Sequence, residues 1–163
     1  MAAEATRRLR AAGLEAELTV VGCRPPRSTN VPPFVHVVPF ISTADTEGVR
    51  ALCELYGSAH LFILPTRAEA FGNVLIEANR FAVPSVVART GGTPHLVEDG
   101  INGRLLGPDA SPQEYAECVL ELLDDRDRYV RLCMSAFADS ERRHTWRVVA
   151  ARLAAVLEEA AQA

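Results

Sequence analysis

The sequence predicts an α/β protein: a Rossmann-like three-layer parallel sheet followed by C-terminal helices. Three observations predict it. Short apolar runs (ELTVVG, FVHVVP, LFIL, PSVVA, GRLL) alternate with segments of helical periodicity from residue 2 to about residue 106. Such runs suit strands buried on both faces, as parallel strands are. From Ser111 onward only helical periodicity remains. Strands alternating with helices make a parallel sheet with helices on its faces, and residues 1–163 are read as one domain, an α/β part over 1–110 and a helical tail over 111–163.

In order, Ala2 to Ala12 read as a helix with Leu9 facing inward, stopped by Gly13, which suits the position after a helix end. Glu17 to Gly22 is a strand closed by a glycine turn. Arg24 to Pro33 holds four prolines and is a loop. Phe34 to Pro39 is the second strand. Asp45 or Thr46 caps a helix in which Val49, Leu52, Leu55 and Tyr56 share one face. His60 to Leu64 is a strand, Val74 to Arg80 a helix, Pro84 to Ala88 a strand, Thr93 to Glu98 a short helix, and Gly103 to Leu106 the last strand. In the tail, Ser111-Pro112-Gln113-Glu114 is a capping box with proline at the first helical position. A second tail helix covers Asp124 to Ala138. Thr145 caps a third, where Trp146, Val149, Leu153, Val156 and Leu157 make an apolar stripe expected to face the core, as is Tyr129.

Composition narrows the function classes. The 163 residues are 48% apolar and 23% charged, with a net charge of −4, ordinary for a globular domain. All 17 basic residues are arginine. No basic run argues for nucleic acid. The four cysteines form no CxxC pair and no metal-ligand spacing with the four histidines, which points to reduced thiols and no metal site. Neither a signal peptide nor a run near the ~20 apolar residues of a membrane span is present, so a cytoplasmic location is expected.

The stretch Leu61 to Asn79, LFILPTRAEAFGNVLIEAN, carries the chemistry. Strand, polar turn and helix aim unpaired backbone N–H groups at an anion. Gly72 lets a ligand approach the backbone. Glu69 and Glu77 frame the turn, and an ionised carboxylate, which only accepts hydrogen bonds, suits vicinal sugar hydroxyls. The combination is the chemistry of a nucleotide-diphosphate sugar.

These residues also resemble a family. Glu69-Ala-Phe-Gly-Asn-Val-Leu-Ile-Glu77 is similar to the Glu, seven residues, Glu motif of the retaining family-4 (group 1) glycosyltransferases. Leu64-Pro65-Thr66, Glu77 to Pro84, Gly91-Gly92-Thr93-Pro94 and Asp99 to Leu106 resemble that family's neighbouring motifs, in the same order. The resemblance implies the C-terminal, donor-binding half of the two-domain GT-B architecture, with UDP-, GDP- or ADP-sugar as donor substrate, no cofactor and no metal. It implies that Glu69 is catalytic, next to the donor hexose, and that Glu77 holds the ribose. Gly72, Asn73 and Val74 would face the diphosphate, with Thr93 and Gly22 as further donor contacts. Phe40 and Ile41 lie near the base by position, and Phe71 packs beneath the turn. His95 stands where the family usually has glutamate, and His144 where many relatives carry an aromatic residue.

The family's first strand of this half has no counterpart here, and the strand order 3-2-1-4-5-6 puts it mid-sheet. Two outcomes follow: the strand ending at Gly22 pairs directly with that ending at Leu64, or another chain, including an oligomeric partner, fills the gap. The implied function is hexosyl transfer with retention to a glycan, lipid or small-molecule acceptor. It needs an acceptor domain or separate chain, and peripheral membrane association through the complete enzyme stays open. The alternative is a non-catalytic nucleotide- or phosphate-binding interaction module derived from such an enzyme. A phosphorylase would need a pyridoxal-binding lysine, and a Rossmann dehydrogenase a G-x-G-x-x-G opening a helix. The chain has neither.

Overall fold

The computed structural model describes residues 1–24 and 30–161. The elements run α1 (Ala2–Ala11), β1 (Leu18–Val21), β2 (Val35–Val38), α2 (Thr46–Ser58), β3 (Phe62–Leu64), α3 (Asn73–Arg80), β4 (Ser85–Ala88), α4 (Thr93–Leu96), β5 (Gly103–Leu106), α5 (Pro112–Leu123), α6 (Arg126–Arg143) and α7 (Trp146–Ala161). All strand pairs are parallel. Part of the proline-rich loop expected over 24–33 lies outside the described residues.

The starts of α2 and α5 follow the residues read from sequence, whereas α6 begins after Asp125, inside the helix read from Asp124. Asp45 Oδ1 accepts the Gly48 amide at 2.8 Å to cap α2. Ser111 and Glu114 close a capping box around the start of α5. Asp125 Oδ1 caps α6 through the Arg128 amide at 2.9 Å. Each such cap stabilises its helix by ~1 kcal/mol. The second tail helix runs to Arg143 rather than Ala138, because the acidic and basic residues after Ala138 are good helix formers with no breaker among them.

β4 is the centre of the packing. All four of its residues are buried, and side-chain alternation sends Val86 and Val87 to opposite faces. Val86 joins Ala5 and Leu9 of α1, Tyr115 and Val119 of α5, and Leu132 of α6. Val87 joins Leu75 of α3 with Leu96 and Val97 at α4. Burying each valine contributes ~1.5–3 kcal/mol. The three layers are therefore α1 and α5, the sheet, and α3 and α4, with α6 packed against both α3 and α5.

Of the two outcomes expected for the missing strand, the first is not realised, and the apolar stripe of the last helix does not face the core. β1 does not pair with β3: one sheet has the order β1-β2 and the other β3-β4-β5. The helices decide this. α1, which leads into β1, is fixed on α5 by Ala5 and Leu9, which ties the position of β1 to that helix layer. Among the described residues β1 and β3 thus each keep an edge without a paired strand, and β3 is only half-buried. The second point concerns α7. Trp146 is 88% exposed and no residue of α7 is buried, so its apolar stripe meets solvent. Helical periodicity marks a face that wants a partner but does not supply one. α2 likewise buries none of its residues. Among the described residues no helix is long and apolar enough to cross a membrane.

Candidate functional site

The corner after β3 is built by local chemistry. Pro65 has no amide proton to continue the ladder. Thr66 then ties the turn, its hydroxyl donating to Ala68 O at 2.7 Å and accepting the Ala68 amide at 3.3 Å. Gly72 enters α3 at φ +92°, a left-handed cap position open to glycine. A Cβ there would lie 3.0 Å from Leu75 Cδ1 and 3.5 Å from Glu69 Cγ. Leu75, fully buried, anchors the first turn, and its amide donates to Gly72 O at 2.9 Å. Asn73 and Val74, the first two helical residues, have no side-chain cap on their amides. That is the arrangement that favours an anion. Glu69 and Glu77 on either side of it are both half-buried.

The loop leading to α4 braces this corner from behind. The Gly92 amide donates to Glu69 O at 3.2 Å. Gly91 sits so close that a Cβ would fall 1.7 Å from the same oxygen. Thr90 Oγ1 donates to Arg67 O at 3.1 Å. Thr93 corrects the sequence reading. It is fully buried, with its single hydroxyl proton placed to donate to Ala88 O at 2.7 Å or Thr90 O at 2.9 Å while its oxygen accepts the Thr90 amide at 3.1 Å. Its side chain is a rivet in the loop, its hydroxyl bonded internally.

Glu77 has a partner that sequence reasoning missed. Tyr56 of α2 donates its hydroxyl to Glu77 Oε2 at 3.0 Å and stacks on Phe81, ring centroids 5.5 Å apart and 16° between planes. Burial, reinforced by the adjacent Glu77 charge and the hydrogen bond to it, pushes the phenol far up. Tyr56 was legible only as one member of an apolar helix face; nothing in the sequence placed it opposite a carboxylate two elements later.

The remaining positions scatter. Gly22, exposed with φ +86° at the end of β1, donates to Val38 O at 3.0 Å and belongs to the other sheet. Phe71 is half-exposed rather than tucked under the turn, because Leu75 fills the space beneath. Phe40 is 81% exposed. Two cavities flank the strand ends. One of about 650 Å³ is lined by Arg89, His95, Arg142, Arg143 and Arg152 together with Glu98 and Asp99. The other, about 260 Å³, lies between Pro65, Arg67, Asp109 and Tyr115. Neither is lined by Glu69, Gly72, Asn73, Val74 or Glu77.

Comparison with known proteins completes the picture. The family model described as glycosyl transferases group 1 matches residues 1–125. The D-inositol 3-phosphate glycosyltransferase of Thermobispora bispora is 37% identical over 110 residues, 67% of this chain and 25% of that protein. A crystal structure of Anabaena HepE in complex with UDP is similar at TM-score 0.64 and 27% identity, over 77% of this chain and 32% of that one. The sucrose-phosphate synthase structure from Thermosynechococcus elongatus matches in fold at TM-score 0.76 and 20% identity, over 97% of this chain and 42% of that one. The chain thus spans about a quarter of the curated relative's length. With its motifs in order on a parallel α/β scaffold and the family match over residues 1–125, the chain belongs to the group 1 glycosyl transferases.

Proposed function

We propose that this chain is the donor-binding part of a retaining hexosyltransferase of GT-B type, gripping a nucleotide-diphosphate sugar at the β3–α3 corner. The observation that carries the reading is the pair of uncapped amides at Asn73 and Val74, set between half-buried Glu69 and Glu77. The UDP complex of the similar HepE structure supports a nucleotide donor.

In this reading Glu77 accepts the ribose hydroxyls and Glu69 stands beside the transferred hexose. As the bond from the anomeric carbon to the diphosphate breaks, negative charge grows on the leaving group. The N-terminal end of α3 stabilises that charge through its free N–H groups and aligned peptide dipoles. The corner supplies one wall; a second region, on this polypeptide or another, supplies the acceptor site, and a further parallel strand from a longer or neighbouring chain fills the interval between β1 and β3. The enzyme acts in the cytoplasm.

Calorimetric titration with UDP-, GDP- and ADP-glucose tests the reading. One of them binds the isolated chain, Glu77→Gln and Glu69→Gln weaken that binding, and no sugar is transferred without a second component. Turnover by the isolated chain overturns the division of labour. Failure of all three to bind, with partner binding indifferent to Glu69→Gln, favours a non-catalytic interaction module.

A further inference from the structure

We infer that Asp139, with Arg143 and Asn102, is a positioning residue for the donor corner: this buried network in the helical tail sets where the Glu69 loop sits. The inference rests on the donor reading above for its functional meaning, but its geometry stands by itself.

Asp139 is 2% exposed on α6. Its carboxylate accepts from Arg142 at 2.7 Å, from Arg143 Nη1 at 3.1 Å and from Asn102 Nδ2 at 3.0 Å. Arg143 and the amide then reach the far end of α4. Arg143 Nη2 donates to His95 O. Asn102, fully buried, donates to Leu96 O at 2.8 Å and accepts the Glu98 amide at 2.8 Å. A helix of a single turn cannot satisfy its own terminal carbonyls, so α4 depends on these outside groups for its position.

The near end of α4 is the loop that braces Glu69. Gly91 leaves no room for a side chain against Glu69 O, the Gly92 amide bonds that same oxygen, and Thr90 bonds Arg67 O. Between the two ends lie only Thr93 to Leu96, whose Thr93 and Leu96 are buried. A short rigid rod is therefore held at one end by the Asp139 network and presses the other end against the backbone of the proposed catalytic glutamate. A shift of α6 is delivered to Glu69 with nothing compliant in between. Truncating one partner of a buried charged cluster leaves the others unpaired, so the network acts as a unit.

The test compares Arg143→Met, Arg143→Lys and Asp139→Asn with Leu9→Ala, a core change on α1 that destabilises the fold through a different cluster. Backbone amide resonances of Glu69, Gly91 and Gly92 are followed by NMR against those of Val20 and Val37 in the other sheet, and UDP-glucose affinity is measured in parallel. Arg143→Met and Asp139→Asn are expected to move the first set and leave the second in place, and to weaken UDP-glucose roughly tenfold. Arg143→Lys, which keeps one donor, recovers part of both effects. Leu9→Ala, even with an equal drop in melting temperature, leaves the Gly91 and Gly92 resonances and the affinity as they are. Unmoved Gly91 and Gly92 resonances in a folded Arg143→Met, or equal affinity losses in Leu9→Ala, overturn the inference. Absence of UDP-glucose binding in the unsubstituted chain counts against the donor reading alone, and the resonances still decide the positioning role.

Discussion

Tyr56→Phe isolates the orientation of Glu77. The substitution removes one oxygen and keeps the ring, so the stacking on Phe81 at 5.5 Å and the tilted contact with Phe62 at 6.3 Å are preserved. What is lost is a 3.0 Å hydrogen bond to Glu77. A bond to a charged group contributes ~1.5–3 kcal/mol when desolvated. Both residues here are only half-buried, and water takes over part of the role, so ~1 kcal/mol is expected, a fall in Tm of ~2–4 °C at this chain length. The effect on binding is separable from that. With Glu77 free to rotate, affinity for UDP falls about fivefold, since a positioned acceptor otherwise loses rotamer freedom on binding. Affinity for 2′-deoxy-UDP, which offers one ribose hydroxyl fewer, falls less. Differential scanning calorimetry gives the first number and isothermal titration the others. If Glu77→Gln weakens UDP while Tyr56→Phe leaves both nucleotides untouched, the orienting role is refuted.

Gly91→Ala places a methyl 1.7 Å from Glu69 O at φ +50°; the loop must move, and nucleotide affinity should fall at least tenfold with a stability loss of ~2 kcal/mol or more, read by titration and urea unfolding. Burial pushes the Cys118 thiol up to about 11, whereas Cys23 and Cys53 are exposed; a maleimide at pH 7.5 should label those two first and Cys118 only on unfolding, as mass spectrometry of a time course will show. Burial, then the Arg143 charge, depresses His144. The unfolded chain therefore binds that proton at a higher pH than the folded one, so the stability this group contributes is whole above the ordinary histidine range and is lost as pH falls through the depressed folded value. Urea unfolding of the native chain and His144→Gln between pH 7.5 and 5 should show the gap between them narrowing or reversing toward low pH.

Much of the scaffold was legible because local rules agreed. Gly13, Asp45, Ser111 with Glu114, and the short β-branched runs each fix an element boundary by chemistry that operates within a few residues. The strand, turn and helix that carry Glu69, Gly72 and Glu77 were legible as a shape for the same reason, being contiguous. What escaped depends on elements meeting across the chain. Thr93 looked available because a threonine after two glycines suits a ligand loop, yet its hydroxyl serves Ala88 and Thr90. Tyr56 read as a core-face aromatic, and Asp139 lay just past the expected end of its helix at Ala138. Only packing reveals that one orients Glu77 and the other holds Asn102 and two arginines. Trp146 misled in the opposite way, its periodicity being sound and its partner face unoccupied.

Were a strand to seat on the edges that β1 and β3 leave unpaired among the described residues, this chain's stability would become a shared quantity. A segment that seats between them recognises the folded form alone, so mass action raises the apparent stability by RT ln(1 + [L]/Kd), ~2.7 kcal/mol at a hundredfold excess over Kd. Folding and acquisition of the mid-sheet segment would then be one linked equilibrium, and ordering of the β1–β2 pair, where Gly22 sits, would rise and fall with the concentration of whatever completes the sheet.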